Sequence, residues 1–500
     1  MERTSGDDPG PWPRRAVWRD LLPLLALGSL LRIYRIGHQS LWLDEAYSWW
    51  FSAFDVHRAL AAERTNPPLY YLALHFWTSV FGTSESALRT MSVLPSLAVI
   101  GLTYLLARRL FDRKVGLVAG LYASVSPFQI AYAQEARAFA LLCCFVLLAA
   151  WSLQRALATR GEPRYLVTYG LSAIAALCTH FIAVFYIFGQ ALFALAHVRK
   201  EKPLLLRWLF TYVVIGALFL PLLIGMLSAA RGGGQVRRHP VLKLPQAFFS
   251  LLFGDSLIPT GEVAIQNIGA TLSANMHWLL AGVAVAAMVV AILLTRRRAT
   301  DSVVFCLVLG VLPVLLSFLV SFKVVHFDRR YHIASSPFVY VMVAAAIAHG
   351  AAFSTWDRIA KFTTGALLAI LLAVSLRHYY FDPRFGKEPW RQVTRDIQAA
   401  KGPHDVVVFD PGYIYPSFDY YARSPTNRML IGRAQRAAIA RNVRAFISKL
   451  PSDGEVWLVR SHYDDDLVLG AIARYLKLER EFHYRIDKGI DVYVFRTIPT

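Results

Sequence analysis

The sequence predicts a polytopic α-helical membrane protein of about eleven transmembrane helices, followed by a small extracytoplasmic α/β domain. Three observations carry this expectation. Of 500 residues, 56% are hydrophobic and only 17% charged, with a mean hydropathy of +0.42. A soluble domain of that size carries more charge, so the apolar excess faces lipid. Runs such as "LLPLLALGSLL" and "VAVAAMVVAILL" lack the polar stripe of a helix that covers a soluble core. Beyond about residue 382 the pattern changes to short strand and helix signals in alternation.

Taken in order, residues 1–16 form a polar tail, expected on the cytoplasmic side. Arg14, Arg15 and Arg19 flank the first apolar run and no small-residue cleavage site follows, so that run reads as an uncleaved span. Spans are expected at about 17–36, 86–107, 115–131, 137–153, 165–179, 181–196, 204–227, 276–295, 302–322, 332–353 and 361–380. Each approaches the ~20 residues that cross the hydrocarbon core. Together, residues 17–381 make a transmembrane domain with a first outer loop at 37–85. Within that loop, 66–82 opens on a proline pair and reads as a re-entrant or interfacial helix.

The net charge of +20 could draw nucleic acid or hold a membrane topology. Position decides, because most Lys and Arg stand in short clusters between apolar runs. With the N-terminus cytoplasmic, the loops 108–114, 154–164, 197–203, 296–301 and 354–361 are all basic and all inside. No nucleic-acid partner is expected. The outer side then receives the loop around Asp44, the 126–137 turn, the Thr179-His180 corner, a long loop near 229–275, the stretch 323–331 and the C-terminal domain.

That domain, 382–500, shows strands at "DVVVFD", "NRMLIG", "EVWLV" and "DVYVF", and helical periodicity at 433–450 and 467–480. It has no glycine-rich phosphate fingerprint and no nucleophile elbow, so no catalysis is expected there. Cys143, Cys144, Cys178 and Cys306 all fall in apolar runs without metal-site spacing.

Three stretches could carry chemistry. "SLWLDEAYSWW" (40–50) sets Asp44 and Glu45 among three tryptophans. A solvated helix start explains the carboxylates and an interfacial belt the tryptophans; the functional reading is a general base at the membrane surface. Neighbours on a helix point about 100° apart, so the two are not expected to share one role: Asp44 is the candidate base and Glu45 a neighbour that shapes the loop. "AQEARAFAL" (133–141) offers Glu135 and Arg137 as a local ion pair or as part of a two-carboxylate or metal site. "KVVHFDRRY" (323–331) gathers Lys323, His326, Arg329 and Arg330 on the outer side, against the positive-inside tendency. Lipid headgroups would explain the cluster; so would a bound anion, which arginine grips with a bidentate fork. His180 reads equally as a structural histidine or a ligand.

The order "LWLDEAYS", "NPPLYYLALHFW", "FGTSESALR", "ARRLF", "SPFQIAYAQEARAFAL" and "TH" resembles the membrane glycosyltransferases of GT-C fold. The branch it resembles is that of the protein O-mannosyltransferases and lipid A aminoarabinose transferases. The resemblance covers roughly residues 15–380 and is dense in the first 190. It implies an inverting transferase that takes a sugar from a polyprenyl-phosphate donor at the outer face of the cell membrane. The acceptor is unknown, whether protein, lipid or polysaccharide. By this resemblance Asp44 is the catalytic carboxylate and Glu135 and Arg137 belong to the cleft. Arg330 and Tyr331 match a recurring late motif.

On these residues the expected site has Asp44 and Glu135 as catalytic carboxylates. Arg137, Lys323, Arg329 and Arg330 hold the donor phosphate, and Glu45, Asn66, Tyr70, His180, His326 and Tyr331 line the cleft. Many relatives have histidine before the double proline where this chain has Asn66, a departure that weighs against metal assistance at that position; a divalent metal is compatible with the site as a whole but not implied. The rival readings are a transporter or flippase of lipid-linked sugars and a non-catalytic scaffold. A transporter favours charges near the midplane and two related halves, whereas here the notable charges gather at one face and no repeat is visible.

Overall fold

The computed structural model describes residues 13–53, 67–230, 241–259, 268–294, 300–322, 327–350, 354–432, 435–436, 439, 441–450, 454–462, 465–486 and 489–497. The chain forms two compact units. The first holds Met1–Ile36, Phe51–Ile258 and Leu272–Tyr380; the second holds Gly37–Trp50, Pro259–Thr271 and Phe381–Thr500.

In the first unit a helical segment lies at each of the eleven expected spans, from Arg14–Ile33 to Thr355–Phe381. Among the described residues, seven helices are long and apolar enough to cross a membrane, or eight if a bent pair counts as one span. That pair, Arg113–Val125 and Pro127–Ala133, bends by 52°. Its cause is local: Ser126 caps the second helix, its hydroxyl accepting from Gln129 N at 3.3 Å, and Pro127 takes the first helical turn. The bend leaves 134–138 outside regular helix before Phe139–Ala158 begins. The "NPP" segment gives a 13-residue helix, Leu69–Phe81.

Burial grades the bundle. Within Arg329–Ala348, 83% of the apolar window is buried, against 17% in Lys202–Gly225, whose Leu206, Phe210 and Val213 stay exposed as lipid-facing side chains do. Arg32, fully buried, donates to Ser96 Oγ at 2.8 Å and to the carbonyls of Gly28, Ala123 and Ser124 at 3.0–3.2 Å, which ties three helices together.

The second unit is a five-stranded sheet of order β2-β1-β3-β5-β4, with β1 Val406–Asp410, β2 Arg428–Leu430, β3 Glu455–Arg460, β4 Leu476–Tyr484 and β5 Ile490–Thr497. β1 runs parallel to β2 and β3, while β5 is antiparallel to β3 and β4. Alternate residues feed two cores. Val406, Val408, Val456 and Leu458 pack on one face; Val407, Phe409, Trp457 and Val459 pack on the other against Trp390, Val393 and Ile397. Burial on both faces explains the unbroken apolar run of β1. The carboxylate of Asp405, at the entrance to β1, accepts from Gly402 N and Glu455 N at 2.8 Å and from the Trp457 indole at 3.0 Å. Burial raises its pKa, but those donors outweigh it and hold the group below the usual aspartate range.

One expectation is corrected. The stretch 467–480 reads as a helix, yet the helix Leu467–Ile472 stops and β4 begins at Leu476. β4 buries almost nothing after Leu476, so its state comes from ladder bonds to β5, which override local propensity. Its exposed Lys477, Glu479, Arg480 and Glu481 suit a charged edge strand. Of the expected helix over 433–450, residues 435–436, 439, 441 and Val443–Ile447 are helical, Asn442 breaks the run as the cap of the last segment, and 433–434, 437–438 and 440 lie outside the described residues.

Candidate active site

In the first unit the "AQEAR" turn supplies a cationic site. Arg137 N donates to Glu135 O at 2.8 Å, and Ser92 Oγ donates to Arg137 O at 3.3 Å, so the turn is anchored to the helix Glu85–Leu110. Glu135 and Arg137 are half-buried. The Arg137 guanidinium lies 5.7 Å from the centre of the Phe139 ring, and that of Arg330 lies 5.9 Å from the same ring. Tyr331 and His180 complete an aromatic floor: their rings are 5.0 Å apart, and Phe139 lies 5.6 Å from His180 and 6.1 Å from Tyr331. Four residues singled out in the sequence, Arg137, His180, Arg330 and Tyr331, are thus brought together around Phe139.

His180 sits in the corner between Pro163–Thr179 and Ala183–Val198, and its Nδ1 accepts from Ile182 N at 3.3 Å. Burial, with the charges of Arg137 and Arg330 beside it, pushes its pKa down, so the ring is neutral. A neutral imidazole adds no charge to the two arginines.

Arg329 points elsewhere. Its Nε lies 2.6 Å from Asp255 Oδ1, and Tyr132 donates its hydroxyl to Asp255 Oδ2 at 3.2 Å. Asp328 caps the 3-10 turn Arg329–Ser335, accepting from Arg330 N at 3.1 Å, while its other oxygen lies 3.3 Å from Arg330 Nε. Asp255 is held in turn by Gly254, which ends Lys243–Phe253 at φ +84° with its N–H on Ser250 O at 2.8 Å. A Cβ there would lie 2.7 Å from Pro127 Cβ and 3.1 Å from Ser375 Oγ, so only glycine fits the turn.

Asp44 and Glu45 belong to the second unit, on the helix Leu43–Ser52. Glu45 is fully buried and its Oε2 lies 3.0 Å from Lys387 Nζ. Asp44, one residue earlier and so on another side of the helix, is half-buried. Trp49 packs edge-on against Tyr420 at 5.1 Å. Tyr70 is buried beside Tyr71 in the first unit, ring centres 5.7 Å apart. Asn66, Lys323 and His326 lie outside the described residues. Among the described residues no group of three or more His, Cys, Asp or Glu could hold a metal.

Residues 65–224 match the family described as dolichyl-phosphate-mannose-protein mannosyltransferase. The fold is similar to ArnT of Cupriavidus metallidurans in the apo state, with a TM-score of 0.58 over 96% of this chain and 98% of that one, at 13% identity. ArnT bound to undecaprenyl phosphate gives 0.56, with 95% and 98% covered at 12% identity. The oligosaccharyltransferase of Archaeoglobus fulgidus, tethered to an acceptor peptide, gives 0.55 at 11% identity, covering 98% of this chain and 74% of that one. The chain has the GT-C fold.

Among curated proteins, nothing matches. Within the GT-C frame, sequence reasoning missed Phe139, Asp255 and Lys387. Phe139 lies inside the quoted "AQEARAFAL" stretch but reads as one apolar residue among many. Asp255 is a lone aspartate after an apolar helix, and that break in an apolar run is the signal that could have marked it. Lys387 carries no local signal, because its partner is far away in sequence.

Proposed function

We propose that the chain is an inverting glycosyltransferase that moves a sugar from a polyprenyl-phosphate donor to an acceptor at the outer face of the membrane. The observation that carries the reading is the pair Arg137 and Arg330 over one ring. Two guanidiniums beside one aromatic ring present N–H donors from which a phosphate accepts charge-assisted hydrogen bonds. ArnT, of the same fold, has been captured with undecaprenyl phosphate, which supports a lipid phosphate as that anion.

In the proposed reaction an acceptor hydroxyl attacks the anomeric carbon. The bond from that carbon to the phosphate oxygen breaks, the acceptor proton passes to Asp44, and polyprenyl phosphate leaves with its charge held by Arg137 and Arg330. Arg329 serves the fold through Asp255 rather than gripping phosphate. Glu135, in the same turn as Arg137, lines the cleft. The basic clusters of the short loops support a cytoplasmic N-terminus and an outer C-terminal domain.

The deciding measurement is release of polyprenyl phosphate from an extract of lipid-linked sugars by the purified chain. Asp44→Asn is expected to cut the rate by about 100-fold or more. Full activity in that variant would remove Asp44 as the base, and movement of lipid-linked sugar without release would favour a flippase.

A further inference from the structure

The second unit has no assigned role, yet its C-terminal part holds the chain just before, and within, the helix that bears Asp44. Arg391 donates to the carbonyls of Gly37 and His38 at 3.1 and 3.2 Å, and its N–H donates to Ser40 Oγ at 3.3 Å. Lys387 N donates to Gln39 Oε1 at 3.1 Å. Leu41 N donates to the Tyr421 hydroxyl at 2.7 Å, and Tyr47 donates to Tyr413 O at 2.8 Å. Between these anchors lies the Glu45–Lys387 pair, with Glu45 fully buried and Lys387 13% exposed. A buried carboxylate is tolerated only where its cation sits, so the pair fixes how the helix is rotated. Asp44 is the adjacent residue, and its direction follows from that rotation.

We infer that the C-terminal domain is a positioning device for the reaction: Lys387 locks Glu45, and through Glu45 it sets where the Asp44 carboxylate points. Lys387 and Glu45 are positioning residues. The inference rests on Asp44 as the base, and its test separates the two.

The test is hydrogen–deuterium exchange of the full chain in lipid nanodiscs, read together with polyprenyl phosphate release from the lipid-linked sugar extract. In Lys387→Met, exchange across Leu43–Ser52 is expected to rise about 10-fold or more while β1 and β3 keep wild-type protection. Release is expected to fall by about 100-fold, as for a small misplacement of a reacting group. Lys387→Arg should restore both. Unchanged exchange at Leu43–Ser52 in Lys387→Met overturns the proposal.

If Lys387→Met also loses protection in β1 and β3, the double variant Glu45→Gln with Lys387→Met leaves no buried charge and is read instead. Faster exchange confined to Leu43–Ser52 supports the proposal. Wild-type exchange there, or loss of the sheet again, overturns it. Full release by Asp44→Asn would refute the base while the exchange result for Lys387 still stands.

Discussion

Arg329 Nε lies 2.6 Å from Asp255 Oδ1, and this pair joins the loop after Lys243–Phe253 to the turn that starts the most buried helix of the bundle. Both groups are largely shielded, at 27% and 21% exposure. Asp255→Ala leaves a shielded guanidinium without its counter-charge and removes the acceptor of Tyr132, at an expected cost of about 2–3 kcal/mol. Thermal unfolding in detergent measures it. Asp255→Leu combined with Arg329→Met should recover most of the loss; a neutral Asp255→Ala would show that the pair does not hold the fold.

Arg137 and Arg330 should behave differently from Arg329. Each is expected to contribute about 1.5–3 kcal/mol to holding an anion, so Arg137→Ala or Arg330→Ala should lower kcat/KM for the lipid-linked donor by about 10–100-fold. Arg330→Lys should recover only part, since an ammonium lacks the planar fork. Equal losses in Arg329→Ala and Arg330→Ala, at equal stability, would contradict the division of roles.

Gly254 and Gly82 form a matched pair of controls. Both have positive φ, +84° and +79°, but a Cβ at Gly82 meets nothing within 4 Å, whereas at Gly254 it meets Pro127, Ser375 and Phe128. Gly82→Ala should cost only backbone strain, about 1 kcal/mol, and Gly254→Ala about 2 kcal/mol or more because overpacking adds to it. Comparison of the two melting temperatures checks the difference.

Asp405 predicts a pH dependence for the C-terminal domain. Its folded pKa is depressed, so its stabilisation is complete above the unfolded aspartate value of about 3.9 and is lost as pH falls through the lower folded value. Unfolding followed by tryptophan fluorescence should show Asp405→Asn less stable by on the order of 2 kcal/mol at pH 7, with the gap closing below about pH 4. A gap that stays constant down to pH 3 would refute this account.

Much of the architecture was legible in residue order. Apolar runs of span length and the short apolar runs of "DVVVFD" and "EVWLV" depend on neighbours within one helix or strand, and the helices and strands lie there. Arg137, His180, Arg330 and Tyr331 each stand at the end of an apolar run on the same expected side, and residue order marks them singly; their packing around Phe139 is a tertiary fact.

Tertiary structure decided what local pattern could not. It turned 476–484 into an edge strand through pairing with β5, took Arg329 to Asp255, and grouped residues 37–50 with the C-terminal unit. Glu45 meets Lys387 across 342 positions of chain. A charge in a sequence shows what it can attract, but which opposite charge reaches it is set by the path of the backbone, and burial then makes that choice binding.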